Sequence, residues 1–218
     1  MNIKQSRFKI LFFTILFVFS ITSHVNSIGF GDIAGGLVGG GGPDLSGKQT
    51  ELTGSLRTAL INLGKSQTIM AKALGLDELV MLSKKNVEKM ESGDMGTKDE
   101  VDKSIETTDN ADKQIAAEIA KGAALDAGSK ALFVTSIPFY IKGVLGSIQT
   151  GKEAVEVGKS IASMNPAALL KIGALYSIVT NLPNLLSNLQ SSTGKIMDFM
   201  TANDIDKSEL DSKISGQW

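Results

Sequence analysis

The chain has 218 residues, a formal charge of −1, no cysteine and a single histidine, with 42% hydrophobic and 21% charged residues. That length and balance suit one domain with a real core. They exclude disulfides, and once the segment holding the one histidine, His24, is removed as expected below, tetrahedral zinc sites, copper sites and Ser–His or Cys–His nucleophilic pairs lack the residues they need.

At the N-terminus, Lys4, Arg7 and Lys9 precede an uncharged apolar run, Ile10 to Ile21, broken only by Thr14 and Ser20. A spanning helix needs about 20 apolar residues, so a basic stretch before a shorter run is the pattern of a secretory signal. Val25-Asn26-Ser27 supplies the residues a signal peptidase reads, which predicts cleavage after Ser27 and removal of residues 1–27. An exported chain without cysteine suits a bacterial periplasm or medium better than a eukaryotic secretory route, where disulfides are common. Without residues 1–27 the chain loses His24, keeps Arg57 as its single arginine, and has 19 basic against 23 acidic residues, a charge of −4. No cationic patch remains for phosphates, which excludes nucleic acid.

Residues 28–43 hold eight glycines among Ile28, Phe30, Ile33, Leu37 and Val38. Backbone entropy at this glycine density opposes order, which predicts a flexible, mildly apolar leader. Gly42 to Lys48 has the spacing of a phosphate-binding loop. Gln49 stands where a magnesium-holding hydroxyl is required, and a glycine run stands where a buried strand is required, so no nucleotide is expected.

From Asp44 the periodicity is helical, and residues 44–203 read as one helical domain. Leu56, Leu60, Leu63, Gln67, Met70 and Leu74 step by four and three onto one face, with Gly75 as a stop. Asp77 is expected to cap a shorter helix carrying Leu79, Leu82, Val87 and Met90, ending near Gly93. Thr97-Lys98-Asp99-Glu100 has the form of a capping box. The helix it opens runs to about Lys121, with Val101, Ile105, Ile115 and Ile119 as its apolar side. Thr108 and Asp112 fall in that same line, where polar residues set register or meet a partner. Asp99, Asp102, Glu106 and Asp109 line another side. Carboxylates so spaced make either a solvated face or a candidate surface for a basic partner.

A longer element from about Asp126 to Ser163 carries Val134, Ile137, Ile141, Val144, Leu145, Ile148 and Val155. Pro138 is expected to bend or interrupt it, because proline lacks an N–H and clashes with the preceding turn. Gly143, Ser147, Gly151 and Gly158 form a candidate ridge for close helix packing, in a membrane or within a water-soluble core. Asn165-Pro166 restarts a helix. Pro183 is expected to break it, with Leu185, Leu186, Leu189, Ile196 and Phe199 continuing to about Ala202. Ser192-Thr193-Gly194-Lys195 has the Ser-x-x-Lys spacing of serine acylases without their supporting motifs. Asp204 to Ser208 opens like a calcium loop, but Glu209 and Ser215 stand where glycine and a bidentate glutamate belong. Residues 204–218 read as a polar, frayed tail.

No alternating pattern appears, and short connections between long helices favour antiparallel neighbours. The expected fold is all-α, an elongated antiparallel bundle of four to five helices. Its charge is uneven: residues 77–126 carry −6 and residues 127–200 carry +3. Lys142 is the single charge from Ala131 to Gly151, and Lys171 the single charge from Ser160 to Gly194. The favoured reading makes 131–194 a buried hairpin in a non-enzymatic protein-binding or structural module, with an unidentified protein partner meeting residues 77–126 and no cofactor or metal. The alternative is a membrane-active or lipid-binding protein that inserts the hairpin. Against insertion, Lys142 and Lys171 would each cost about 2.5–3.5 kcal/mol near a bilayer centre, and Trp218 stands alone at the chain end rather than in an interfacial belt.

Overall fold

The computed structural model describes residues 45–93, 95–162, 164 and 166–218. The expected signal segment, its cleavage point and the glycine-rich stretch lie outside the described residues. The chain is all-helical, with seven helices and no strand among the described residues: α1 Leu45–Ala73, α2 Asp77–Glu91, α3 Lys98–Ile119, α4 Ala127–Ile161, α5 Pro166–Lys171, α6 Gly173–Ala202 and α7 Ser208–Ile214.

Leu56, Leu60, Leu63, Gln67 and Met70 of α1 are buried along the expected face. The helix stops where its last carbonyls find partners beyond the end. Leu76 N–H donates to the Ala71 carbonyl at 2.8 Å and Gly75 N–H to that of Lys72 at 3.2 Å. This reversal needs a left-handed residue, and Gly75 sits at φ 73°.

Helix α2 departs from expectation in two details. Its cap position is Leu76, which makes no side-chain cap bond, and Asp77 lies inside the first turn beside Glu78. There both acids face the positive end of the helix dipole. Its buried face is Leu79, Ser83, Val87 and Met90, and Leu82 is 45% exposed. The approach to α1 is close at Val87: a Cβ on Gly64 of α1 would lie 2.5 Å from Val87 Cγ2 and 3.9 Å from the Ser83 carbonyl oxygen.

The capping box of α3 forms as its residues imply. Thr97 Oγ1 accepts from Glu100 N–H, while Glu100 Oε2 accepts from the N–H groups of Thr97 and Gly96, both at 3.0 Å. Asp126 caps α4 by accepting from Ser129 N–H at 2.7 Å. Neither interior proline ends its helix. Pro138 lies within α4 and Pro183 within α6, each exposed on the outer side. Pro138 deprives the Val134 carbonyl of its donor, and Val134 is itself 48% exposed, so water can take that bond.

Contacts fix the directions of the helices. Gly143 of α4 faces Leu63 of α1, and Gly146 faces Ala59, so these two run in opposite directions. Gly151 faces Leu186 of α6 and Gly158 faces Val179, again oppositely. By contrast, α3 and α6 run side by side in the same direction, since Asp102 pairs with Asn181 and Asp109 with Asn188, 79 residues apart in both cases. The small-residue ridge thus lies inside the packing of α4 against α1 and α6, with Ser147 fully buried.

Residues 204–218, expected to be a polar tail, fold instead as α7 against α4, with Leu210 and Ile214 wholly buried at i and i+4. The loop before it is a helix terminus. Ile205 N–H donates to Met200 and Asp204 N–H to Thr201, with Asp204 at φ 55°, the same reversal that ends α1. Asp206 then accepts from Ser208 N–H at 2.9 Å. Both acids of the calcium-like segment therefore serve the turn from α6 into α7.

A Cβ at residue 143 would lie 2.6 Å from Leu63 Cγ and 2.8 Å from the Leu63 backbone nitrogen, whereas one at residue 151 meets chiefly Leu186 Cδ1, a movable side-chain end, at 2.6 Å. Helix propensity favours alanine over glycine by about 1 kcal/mol, and overpacking costs about 1–3 kcal/mol. Urea unfolding is therefore expected to show Gly143→Ala destabilised by about 1–2 kcal/mol and Gly151→Ala neutral to stabilised by up to about 1 kcal/mol.

Candidate functional site

Among the described residues, a run of side-chain hydrogen bonds joins α3 to α6 along their seam. Helix α3 is acidic, whereas from Gly173 to Gly194 helix α6 has no charged residue and many Asn, Ser and Thr. Asp102 Oδ1 accepts from the Ser177 hydroxyl and, at 2.6 Å, from Asn181 Nδ2, while Lys98 holds its other oxygen. One heptad on, Asp109 accepts from Asn188 Nδ2 at 2.7 Å and from Lys113 at 2.6 Å. Of the four acids expected on one side, Asp102 and Asp109 thus turn toward α6, and Asp99 and Glu106 stay exposed.

Three residues further, Asp112 is 2% exposed. The Ser192 hydroxyl donates to it, and its Oδ2 has no hydrogen-bond partner. Burial pushes this carboxyl up to about 7, with the Asp109 charge adding to the rise and the Ser192 bond, Lys195 and Lys113 opposing it. Beside it, Tyr140 of α4 is fully buried, its hydroxyl 3.0 Å from Thr193 Oγ1. Thr193 donates to the Leu189 carbonyl at 2.7 Å, so Tyr140 is the donor of the pair. Burial and then the Asp112 charge hold the phenol well above its ordinary value, against the Thr193 bond. One turn back, buried Thr108 accepts at its carbonyl from Gln67 Nε2 at 2.9 Å and at its hydroxyl from Asn86 at 3.4 Å.

Neither of two open clefts reaches this cluster. A cleft of about 330 Å³ near the ends of α3 and α6 is lined by Ile119, Ala123, Lys195, Asp198, Phe199 and Asn203, among others. Another of about 350 Å³ lies between α2 and α4 over α1, with Ile69, Val87 and Phe139 as apolar lining and Lys65, Lys84 and Glu88 among its polar residues. Met81, on the same side of α2 as Lys84 and Glu88, is 71% exposed.

The remaining sequence motifs disperse. Ser192 is buried with its hydroxyl hydrogen-bonded to Asp112, while Lys195 is exposed, so the Ser-x-x-Lys spacing forms no open nucleophile. Lys48 pairs with Glu51 at 2.7 Å, and Gln49 accepts from Leu175 N–H at 3.2 Å, serving the first turn of α6; residues 42–44 lie outside the described residues. Among the described residues no three Asp, Glu or His side chains converge on a metal-sized site. Helix α4 is the one described helix long and apolar enough to cross a membrane, with a best-window mean hydropathy of 1.5 and half of that window buried.

Sequence spacing exposes Thr108 and Asp112 as polar residues in an apolar line, but not their partners Ser177, Asn181, Asn188, Ser192 and Tyr140. A signal was present in the matching seven-residue steps 102–109 and 181–188. No protein-family model, curated protein or solved structure matches this chain.

Buried hydrogen bonds to charged acceptors contribute about 1.5–3 kcal/mol. A double-mutant cycle on Asp109→Ala and Asn188→Ala, read by urea unfolding, is expected to give a coupling of about 0.5–3 kcal/mol. The same cycle on Asp99→Ala with Asn188→Ala is expected to give none.

Proposed function

We propose that the chain is an exported, non-enzymatic helical protein, its helices arranged as a bundle, that binds a protein partner through α2 and the outer side of α3. The observation that carries this reading is Met81 on α2, 71% exposed and one helical turn before Lys84, which lines the cleft floored by Ile69, Val87 and Phe139; Leu82, 45% exposed, adds an apolar side chain elsewhere on the outside of α2. Scattered apolar side chains are ordinary on a surface, but contiguous ones beside a groove mark contact sites. Asp99 and Glu106 extend the same region of the chain as exposed acids.

A non-catalytic role is supported by the sealing of Asp112, which lines neither cleft, and by the use of Ser192 as its donor. A catalytic acid needs both a shifted pKa and reach to substrate. Export rests on residues 1–27 as read above.

Membrane insertion is the weaker alternative. Helix α4 is apolar enough, but its outward residues include Lys142, Gln149, Lys152, Glu156 and Lys159, and its inward ones pack on α1 and α6. The uncharged outer face of α6 carries Thr180, Asn184, Ser187, Gln190 and Ser191, neutral groups that water solvates well.

Chain recovered from the extracytoplasmic fraction is expected to begin at Ile28. Bound to a resin, it is expected to retain a partner from that fraction that the Met81→Lys, Leu82→Lys double variant does not retain. It is also expected not to float with vesicles of phosphatidylcholine and phosphatidylglycerol at neutral or mildly acidic pH. Flotation with dye leakage, together with equal retention by the double variant, would replace partner binding with the membrane reading.

A further inference from the structure

We propose that Asp112 is a proton-operated lock on the contact of α3 with α6: with its carboxyl neutral the seam is tight, and on ionisation the seam loosens. The geometry comes first. The carboxyl is 2% exposed, one of its oxygens has no partner, and its identified donor is the Ser192 hydroxyl. An ionised carboxylate so buried needs two or three donors to replace its lost hydration.

The charged and titratable groups around it do not supply that replacement. On α3, Asp109 opposes a second negative charge, and the Lys113 ammonium is already paired with Asp109. On α6, Lys195 is exposed, so solvent screens its attraction. On α4, Tyr140 gives its proton to Thr193 and is itself disfavoured by the Asp112 charge. From α1 and α2 no charged group acts on it, and the amides of Gln67 and Asn86 that reach α3 are both committed to Thr108, one turn away. The shift of the carboxyl from 3.8 to about 7 agrees with this accounting.

The sign follows from linkage. A carboxyl whose pKa is higher in the folded than in the unfolded chain favours folding fully below pH 3.8, and that contribution is lost as pH rises toward 7. Glu100, Asp126 and Asp206 are shifted down and act the other way, losing their contribution in acid. The lock is therefore isolated by comparison with Asp112→Asn, which keeps the shape and cannot ionise. It does not depend on the partner-binding reading, since it concerns the seam alone.

Urea unfolding of the chain and of Asp112→Asn between pH 4 and 8 tests it. The ratio of their unfolding constants is expected to change by on the order of 10²–10³-fold across that range, the wild type weakening at high pH. Amides of α6 from Leu189 to Ile196 are expected to lose exchange protection, after correction for intrinsic rates, in the wild type and not in the variant. Should the variant fail to fold, the ¹³C shift of the Asp112 carboxyl in labelled wild type serves instead, with a midpoint near 7 expected. Parallel pH curves, or a midpoint near 4, would overturn the lock.

Discussion

An acidic helix laid along a nearly uncharged one, in the same direction and in heptad register, is the constraint from which the rest of the molecule follows. Asp102 and Asp109 on α3 meet Asn181 and Asn188 on α6 at a constant offset, so a slip by one turn would take both amide donors away and leave each carboxylate with only its lysine on α3. Leaving a charged acceptor unsatisfied costs more than the bond gains, and that asymmetry makes the register specific. With α3 held against α6, α4 is the antiparallel neighbour of both α6 and α1. Its glycines at 143 and 151 then set how closely those helices approach.

The same seam accounts for the uneven charge of the chain. The low charge of 131–194 reads equally as a core hairpin or as something destined for lipid, because charge counting ignores neutral polar groups. Ser177, Asn181, Asn188 and Ser192 serve the carboxylates of α3, while Thr180, Asn184 and Ser187 face water. Asp112 continues the series past the point where donors suffice. It has one hydroxyl where its neighbours have an amide and a lysine, and its protonation state takes up the difference.

Much of the helical plan was legible. Local signals were sufficient wherever the cause was local: Gly75 at the α1 reversal, the Thr97–Glu100 box and the Asp126 cap all rest on bonds within a few residues. The failures share a different cause. The expected bend or interruption at Pro138 and break at Pro183 assume that the carbonyl left without an N–H is buried, and both prolines lie on the outer side. Leucine at 82 is apolar and so expected inward, yet the face that meets α1 is Leu79, Ser83, Val87 and Met90, with Val87 seated against Gly64. The tail was read as frayed because two apolar residues in a polar stretch are a weak signal until α4 offers them a surface. In the seam, the acids were seen as a stripe facing solvent or a partner. Asparagine and serine carry no periodic signature of burial, so the donors that claim two of those acids could not be read without the pairing of α3 with α6.

The absence of cysteine makes a direct test of that pairing clean, since introduced thiols are the only ones present. Asp102→Cys combined with Asn181→Cys, treated with a short bis-thiol reagent, is expected to cross-link within the monomer. Asp102→Cys combined with Ser191→Cys, ten residues further along α6 and about 15 Å away by helical rise, is expected not to. Cross-linking of the second pair in preference to the first would mean that α3 and α6 do not meet in this register, and the seam described here would not exist.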